Sequence, residues 1–377
     1  MHFAIKHSFV ALAAVLASLA VTASPVGPHT NSTLVDGHLG KRAPQTRLNT
    51  AWELARISQT GKLTTMGTDK TGPKGAPARA ATLDWKFPFD DTWGTGVIVY
   101  VVDSGVRSTH VELAGRVETG WVLDGLGGVA TDDLCNHGTA VASLIAGTTL
   151  GIANKATIVP VRVADDATGR CKRVPSTSDD VTAGINWAVS DYKTRANARA
   201  GIINVSWQLY HTDASKAAIT AAITNNMHVI VTAGNDDQNQ CFGETAPLAN
   251  QRVQDVGQII VGNTDWNDNR RSVTPGMVGS NYGDCLTLFA PGTSITAASN
   301  VDDATVTLKT GTSFAAPLVA GVIAALVTTP PPSLASPITP GSMKTFIKQS
   351  SVSPGITGLN GSPDRLLQSP LISMTSQ

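Results

Sequence analysis

Five short runs of aliphatic and β-branched residues recur along the chain: Val97–Val102, Thr157–Val163, Gly201–Val205, His228–Thr232 and Gln258–Val261. Each is close to continuous rather than alternating. That pattern marks a strand buried on both faces. Between the runs the period changes to that of a helix. Val181, Ile185, Ala188, Val189 and Tyr192 fall on one helical face, and Ala217, Ala218, Ala221, Ala222 and Asn225 on another. Trp52–Ile57 reads as a short helical turn, and 58–80 as loop. Phe314–Val327 is apolar throughout, too long for most strands, and interrupted by Pro317 and Gly321. It predicts a buried core helix rather than a membrane span. Strands alternating with helices predict an α/β fold: a mostly parallel central β-sheet with helices on both faces.

The N-terminus has a different pattern. Lys6 and His7 precede the apolar run Phe9–Ala20, and Val21-Thr22-Ala23 supplies small residues for cleavage. Residues 1–23 therefore read as a secretory signal peptide, with a membrane anchor as the alternative. Residues 24–42 are polar, carry the sequon Asn31-Ser32-Thr33, and end in Lys41-Arg42. They read as a short propeptide cut at a dibasic site, the alternative being an ordinary exposed basic pair. From Ala43 to Gln377 the chain reads as one continuous domain.

Charge adds little. Lys+Arg 28 equals Asp+Glu 28, so there is no basic surplus for a nucleic acid and no charged tail for a membrane surface. Secretion makes Cys135, Cys171, Cys241 and Cys285 candidates for disulfides. Three pairings are open, pairing of sequence neighbours being the simplest. No Cys-x-x-Cys spacing supports a zinc site.

Candidate chemistry lies where the strands end, because functional residues of parallel sheets collect outside the carboxyl ends of the strands. Asp103 follows Val97–Val102, and Asn235 follows His228–Thr232. Either alone is more often a turn former. Four histidines lie beyond residue 42. His110 and His211 sit in polar contexts and read as solvated; His228 heads a strand and reads as core or surface. His137 is followed by Gly138 and a run of small residues, which would let a helix pack close to the sheet. Ser313 follows Gly311-Thr312 at the start of the apolar helix. One reading is an N-cap. The other is a nucleophile beside the unpaired N–H groups and positive end of a helix. A serine needs a base to activate it, a histidine suits that task near neutral pH, and a carboxylate must hold the imidazole. A further donor must meet the oxyanion. Asp103, His137, Asn235 and Ser313 supply one residue for each role.

In that Asp…His…Ser order the chain resembles the subtilisin-like serine proteases, and within them the proteinase K branch. The resemblance rests on Val-Val-Asp-Ser-Gly-Val (101–106), Asn-His-Gly-Thr-Ala-Val-Ala-Ser (136–143), Ala-Gly-Asn (233–235) and Gly-Thr-Ser-Phe-Ala-Ala-Pro-Leu-Val-Ala-Gly (311–321). Lesser matches extend over most of 43–370. The resemblance implies a three-layer sandwich and a catalytic domain over 43–377. It implies a secreted endopeptidase of protein or peptide substrates, working as a monomer through an acyl-enzyme, with no cofactor needed for the chemistry. Asp103 would orient His137, His137 would shuttle the proton of Ser313, and the Asn235 side chain and Ser313 N–H would form the oxyanion hole. It also implies the bridges Cys135–Cys171 and Cys241–Cys285, as in aqualysin-type members. Structural calcium is common in such proteins. Asp265 lies where one ligand is expected, but the sequence assigns no metal site.

Several positions depart from the family pattern. Ala140 and Leu318 replace histidines, and Phe314 replaces methionine. Ser206 keeps its place in the strand that lines the first specificity pocket, but Trp207, Gln208 and Leu209 make a bulkier segment. Ser206 and Trp207 are therefore the candidate substrate-binding residues. Asn204-Val-Ser206 is a sequon in a strand expected to be buried, and Asn360-Gly-Ser362 is the better exposed one. Arg170, Lys172 and Arg173 read as a solvated basic loop, or as an attraction for acidic substrate residues. A propeptide as short as 24–42 is unusual for secreted relatives. These departures leave two alternatives: a catalytically weak or inactive homologue that binds proteins, and a processing protease of narrow specificity.

Overall fold

The computed structural model describes residues 44–63, 85–165, 177–207, 209–241, 256–273 and 279–371. In chain order the elements are β1 (Gln45–Leu48), α1 (Trp52–Ile57), β2 (Lys86–Phe89), β3 (Val97–Asp103), β4 (Trp121–Val122), α2 (Gly138–Ala146), β5 (Thr157–Arg162), α3 (Ser178–Tyr192), β6 (Ala200–Val205), α4 (Asp213–Thr224), β7 (His228–Thr232), β8 (Ile259–Thr264), β9 (Leu288–Pro291), β10 (Ile295–Ala298), β11 (Val306–Lys309), α5 (Thr312–Thr328) and α6 (Pro340–Ser350).

Seven strands form one sheet in the order β4-β5-β3-β6-β7-β8-β9. Every neighbouring pair in it is parallel. The continuous apolar runs are explained by the sheet's two cores. Val97, Val99 and Val101 of β3 face the core that holds α2 and α5. Ile98, Tyr100 and Val102 face the core that holds α3 and α4. Strand side chains alternate between faces, so burial on both sides demands an apolar residue at every position. The order runs β5-β3-β6-β7 through the centre. This places the ends of β3, β6 and β7 side by side, with Asp103, Ser206 and Asn235 at or just beyond them.

The predicted strands form with small shifts in their bounds. The last extends to Thr264, because Gly262, Asn263 and Thr264 pair with β9 although they are not a hydrophobic run. The antiparallel pairs β1–β2 and β10–β11, strand β9 and helix α6 were not predicted. The expected inner face of α4 is corrected. Ser215, Ala218, Ile219 and Ala222 are buried, whereas Ala217 is exposed. Alanine is small enough for either face, so the larger Ile219 decides which side turns inward. The expected signal peptide and propeptide, most of the expected loop and the expected basic loop fall on residues 1–43, 64–84 and 166–176, which lie outside the described residues.

His228 heads β7 inside the core, 3% exposed. Its Nδ1 meets no hydrogen-bond partner among the described residues. Burial lowers its pKa to about 4. An unfolded imidazole takes up its proton near pH 6.5. Between these values the unfolded state binds more protons, so this residue's contribution to stability is lost as pH falls from about 6.5 toward 4. The full loss is about 3 kcal/mol at 1.36 kcal/mol per pH unit. His228→Gln is expected to lose less stability than the wild type between pH 7 and 4.5, measured by thermal unfolding across that range.

Candidate active site

Asp103 is the last residue of β3 and is fully buried. His137 stands just ahead of α2. Its Nδ1 lies 2.8 Å from Oδ1 and 3.0 Å from Oδ2 of Asp103. The Ser104 N–H donates to Asp103 Oδ1 at 2.7 Å. The close approach of α2 that makes this contact requires a glycine. A Cβ on Gly138 would fall 2.0 Å from the Gly105 carbonyl oxygen and 3.2 Å from Asp103 Oδ1.

Helix α5 begins at Thr312, with Gly311 at a φ of 150° before it and no side chain capping it. Ser313 is therefore the second residue of the helix and not its cap. Thr312 anchors this end. Its N–H and hydroxyl both donate to Asn235 Oδ1, at 2.9 and 3.1 Å. Its hydroxyl accepts from the Gly234 N–H at 3.1 Å and from the Thr232 hydroxyl. A backbone N–H can meet only the oxygen of an amide, so the Asn235 side chain has one orientation, with Nδ2 left as donor.

One residue inside α5 changes the local bonding. Pro317 has no N–H, so the Ser313 carbonyl loses its partner four residues on. The Ser206 hydroxyl donates to that carbonyl at 2.8 Å, and itself accepts from Asn204 Nδ2 at 2.8 Å. The side chain of Ser206 thus braces the serine, and the buried Asn204 amide of the inner sequon is spent on it. Two rings flank the imidazole. Trp207 meets it edge-on with centroids 5.5 Å apart, and Phe314 lies 5.1 Å away at 50°. Asp103, His137, Trp207 and the N-terminus of α5 are thereby brought to one place, with Asn235 held to α5 by Thr312.

Two charged residues beside the site escaped the sequence reading. Asp133 is buried, and burial pushes its carboxyl up despite hydrogen bonds from Thr139 and Ser104; the charge of Asp103 acts in the same direction. It accepts from the Thr139 N–H at 2.9 Å, the Thr139 hydroxyl at 2.6 Å and the Ser104 hydroxyl at 2.8 Å. Lys309 donates to the Asn136 carbonyl at 2.5 Å. Burial lowers its pKa, opposed by Asp133 and Asp103. Only the position of Asp133, four residues before His137, was a usable signal.

The other histidines stand apart. His110, expected to be solvated, is fully buried, with Nε2 3.0 Å from the Thr305 carbonyl and Nδ1 accepting from the Glu112 N–H. His211 is half-buried. Cys241 and Cys285 form a disulfide with Cα atoms 5.5 Å apart. Cys135 is also disulfide-bonded, and Cys171 lies outside the described residues. Both carboxylate oxygens of Asp265 accept hydrogen bonds within its own turn. Its Oδ1 accepts from the Asn267 and Asn269 N–H groups and its Oδ2 from Asn269 Nδ2. No group of three or more His, Cys, Asp or Glu suited to a metal occurs among the described residues.

Residues 94–366 match the model of the subtilase family. The chain belongs to that family. Its relatives include an extracellular serine proteinase of Thermus sp. (strain Rt41A), 38% identical over 247 residues that cover 65% of this chain and 54% of that protein. Subtilisin-like protease 1 of Pseudogymnoascus destructans (strain ATCC MYA-4855 / 20631-21) is 30% identical over 87% of this chain and 72% of its own length. Among solved structures, a cold-adapted subtilisin-like serine proteinase superposes with a TM-score of 0.64 at 27% identity, covering 85% of this chain and 98% of that one. The chain spans about half the length of several relatives, 54% of the Thermus proteinase among them. Among the described residues of this subtilase, no helix is long and apolar enough to cross a membrane.

The brace on Ser313 has a measurable consequence. Ser206→Ala is expected to cost about 1–3 kcal/mol by leaving the Ser313 carbonyl unpaired. In a Pro317→Ala background, where residue 317 regains its N–H, the same change should cost clearly less. Denaturant unfolding of the four proteins measures that coupling.

Proposed function

We propose that this subtilase is a secreted serine endopeptidase that hydrolyses peptide bonds through an acyl-enzyme. The observation that carries the reading is the Asp103–His137 pair, with Nδ1 2.8 Å from the buried carboxylate, beside the N-terminus of the helix that holds Ser313 as its second residue and an oriented Asn235 amide. With Nδ1–H held by Asp103, His137 presents Nε2 as the base. The Ser313 Oγ attacks the peptide carbonyl while its proton passes to Nε2. The carbonyl oxygen becomes an oxyanion that accepts from Asn235 Nδ2 and the Ser313 N–H. The C–N bond then breaks and the leaving amine takes the proton from His137. Water, deprotonated by His137, attacks the acyl carbon, and Ser313 recovers its proton as the acid product leaves. Asp103 stays ionised and stabilises the imidazolium. Apart from substrate and water, every group in this reaction belongs to the chain itself, so the proposed chemistry calls for no cofactor or second protein.

The leader 1–23, the dibasic end of 24–42, the disulfide and relatives named as extracellular support secretion with a short propeptide. Asn360 is exposed and is the candidate glycosylation site. A second reading, narrow specificity, is favoured by Trp207, whose ring stands against the catalytic imidazole and takes space that a substrate side chain would otherwise use.

The purified secreted protein is expected to label with a fluorophosphonate probe and to degrade casein, while Ser313→Ala does neither. Failure of correctly folded wild type to label would overturn the reading. Asn235→Ala is expected to lower kcat by about 10²–10³-fold with KM little changed, as for the corresponding donor in subtilisin. Trp207→Gly is expected to increase the number of distinct cleavage sites in a casein digest, counted by mass spectrometry; an unchanged cleavage map would argue against Trp207 as the restriction.

A further inference from the structure

The reaction divides the cleft. The leaving amine takes its proton from His137, so the departing part of the substrate lies on the imidazole side. Asn235 and the Ser206–Trp207 end of β6 belong to the acyl side. On the leaving side the β10–β11 hairpin is pinned to the segment that carries His137. The Asn300 N–H donates to Asn136 Oδ1 at 3.0 Å, and Asn300 Nδ2 donates to the Asp133 carbonyl at 2.6 Å. Lys309 Nζ holds the Asn136 carbonyl from the other strand. The hairpin tip is held in turn by the 107–111 segment. The Val111 N–H donates to the Asp303 carbonyl at 2.7 Å, and Arg107 Nη1 to the Asn300 carbonyl at 3.1 Å.

This scaffold carries exposed apolar side chains. Leu134 is 48% exposed, Val301 72%, Val306 46% and Val111 58%. They are four of the seven large hydrophobic residues that are exposed among the described residues. Single exposed aliphatics need no explanation, but a concentration of them beside a cleft does. The nearby charges are committed locally. Asp303 is paired with Arg107, and the Asp302 carboxylate accepts from the Ala304 and Thr305 N–H groups and the Thr305 hydroxyl.

We infer that this rim is a recognition surface for apolar side chains of the substrate, at the second and later residues after the scissile bond. The inference rests on the peptidase reading. Its continuity with the site identifies the occupant: Leu134 lies on the segment that carries His137, and the hairpin is bonded to that segment through Asn300 and Lys309, so an extended polypeptide leaving on the imidazole side would meet them.

The test uses substrates with one common acyl side. One is a peptide p-nitroanilide, which has no residues beyond the scissile bond. The others are internally quenched peptides extended by four residues there, either leucine-rich or serine-rich. Wild type is expected to cleave the leucine-rich peptide with a kcat/KM about tenfold above the serine-rich one, in line with partial burial of an aliphatic side chain. In Leu134→Ser/Val301→Ser/Val306→Ser, the ratio of the leucine-rich rate to the p-nitroanilide rate is expected to fall about tenfold, by the same burial. Equal rates for the two extended peptides, or a ratio unmoved by the substitutions, would overturn the inference and leave the peptidase reading intact. A wild type that neither cleaves the p-nitroanilide nor labels with the fluorophosphonate overturns both.

Discussion

The site depends on how helix α5 is seated against the end of β7. Thr312 makes that seat by giving its N–H and its hydroxyl to one oxygen of Asn235 while receiving bonds from Thr232 and Gly234. One residue thereby sets the origin of the helix that carries Ser313 and the direction in which the Asn235 amide points. Ser313 and Asn235 are held as a unit, although they come from segments 78 residues apart along the chain. Gly311 completes the seat. Its φ of 150° is one that side chains rarely adopt, so a glycine is called for there by backbone conformation rather than by lack of space. Helix α5 is buried along almost its whole length, so its position cannot relax without disturbing the core.

The other half of the site is an arrangement of buried charge. A carboxylate out of water is costly unless donors surround it. Asp103 has Ser104 and His137, and Asp133 has Thr139, Ser104 and Cys135. Ser104 joins the two, with its N–H on one and its hydroxyl on the other. Its hydroxyl also accepts from the Gly138 N–H at 3.1 Å, which ties the start of α2 to the same pair. Lys309 supplies a cation close enough to act on both carboxylates. The imidazole is thus oriented by electrostatics on its Nδ1 side and by Trp207 and Phe314 against its ring.

In the proposed reaction, Trp207 would also bear on specificity. It follows the end of β6 and meets the imidazole edge-on, while Leu134 lies on the segment that carries His137, to which the β10–β11 hairpin is bonded. Recognition of a chain on both sides of the bond would let binding energy from remote residues orient the scissile carbonyl. On that proposal, Trp207 would restrict which acyl-side side chains enter, and the aliphatic rim would add affinity for the departing part of the chain.

Much of this was legible in the residues. Unbroken apolar runs reported strands with two buried faces, because a strand turns every second side chain to the other side. The carboxyl ends of those strands located Asp103 and Asn235, and Gly138 announced a close helix. Where the signal was local and periodic, the sequence was enough. It was silent wherever a neighbour distant in the chain decides the outcome. Asp133 looks like a loop aspartate until Ser104 and Thr139 close over it. His110 looks solvated until the hairpin after β10 covers it through Thr305. The inward face of α4 depends on which alanine row meets the sheet, and alanine does not specify that. The role of Ser206 appears only once Pro317 leaves a carbonyl unpaired and folding brings the hydroxyl to it. Periodicity and backbone preference belong to the sequence by itself; burial, charge pairing and the partner of each polar atom are properties of packing, and only the tertiary structure decided them.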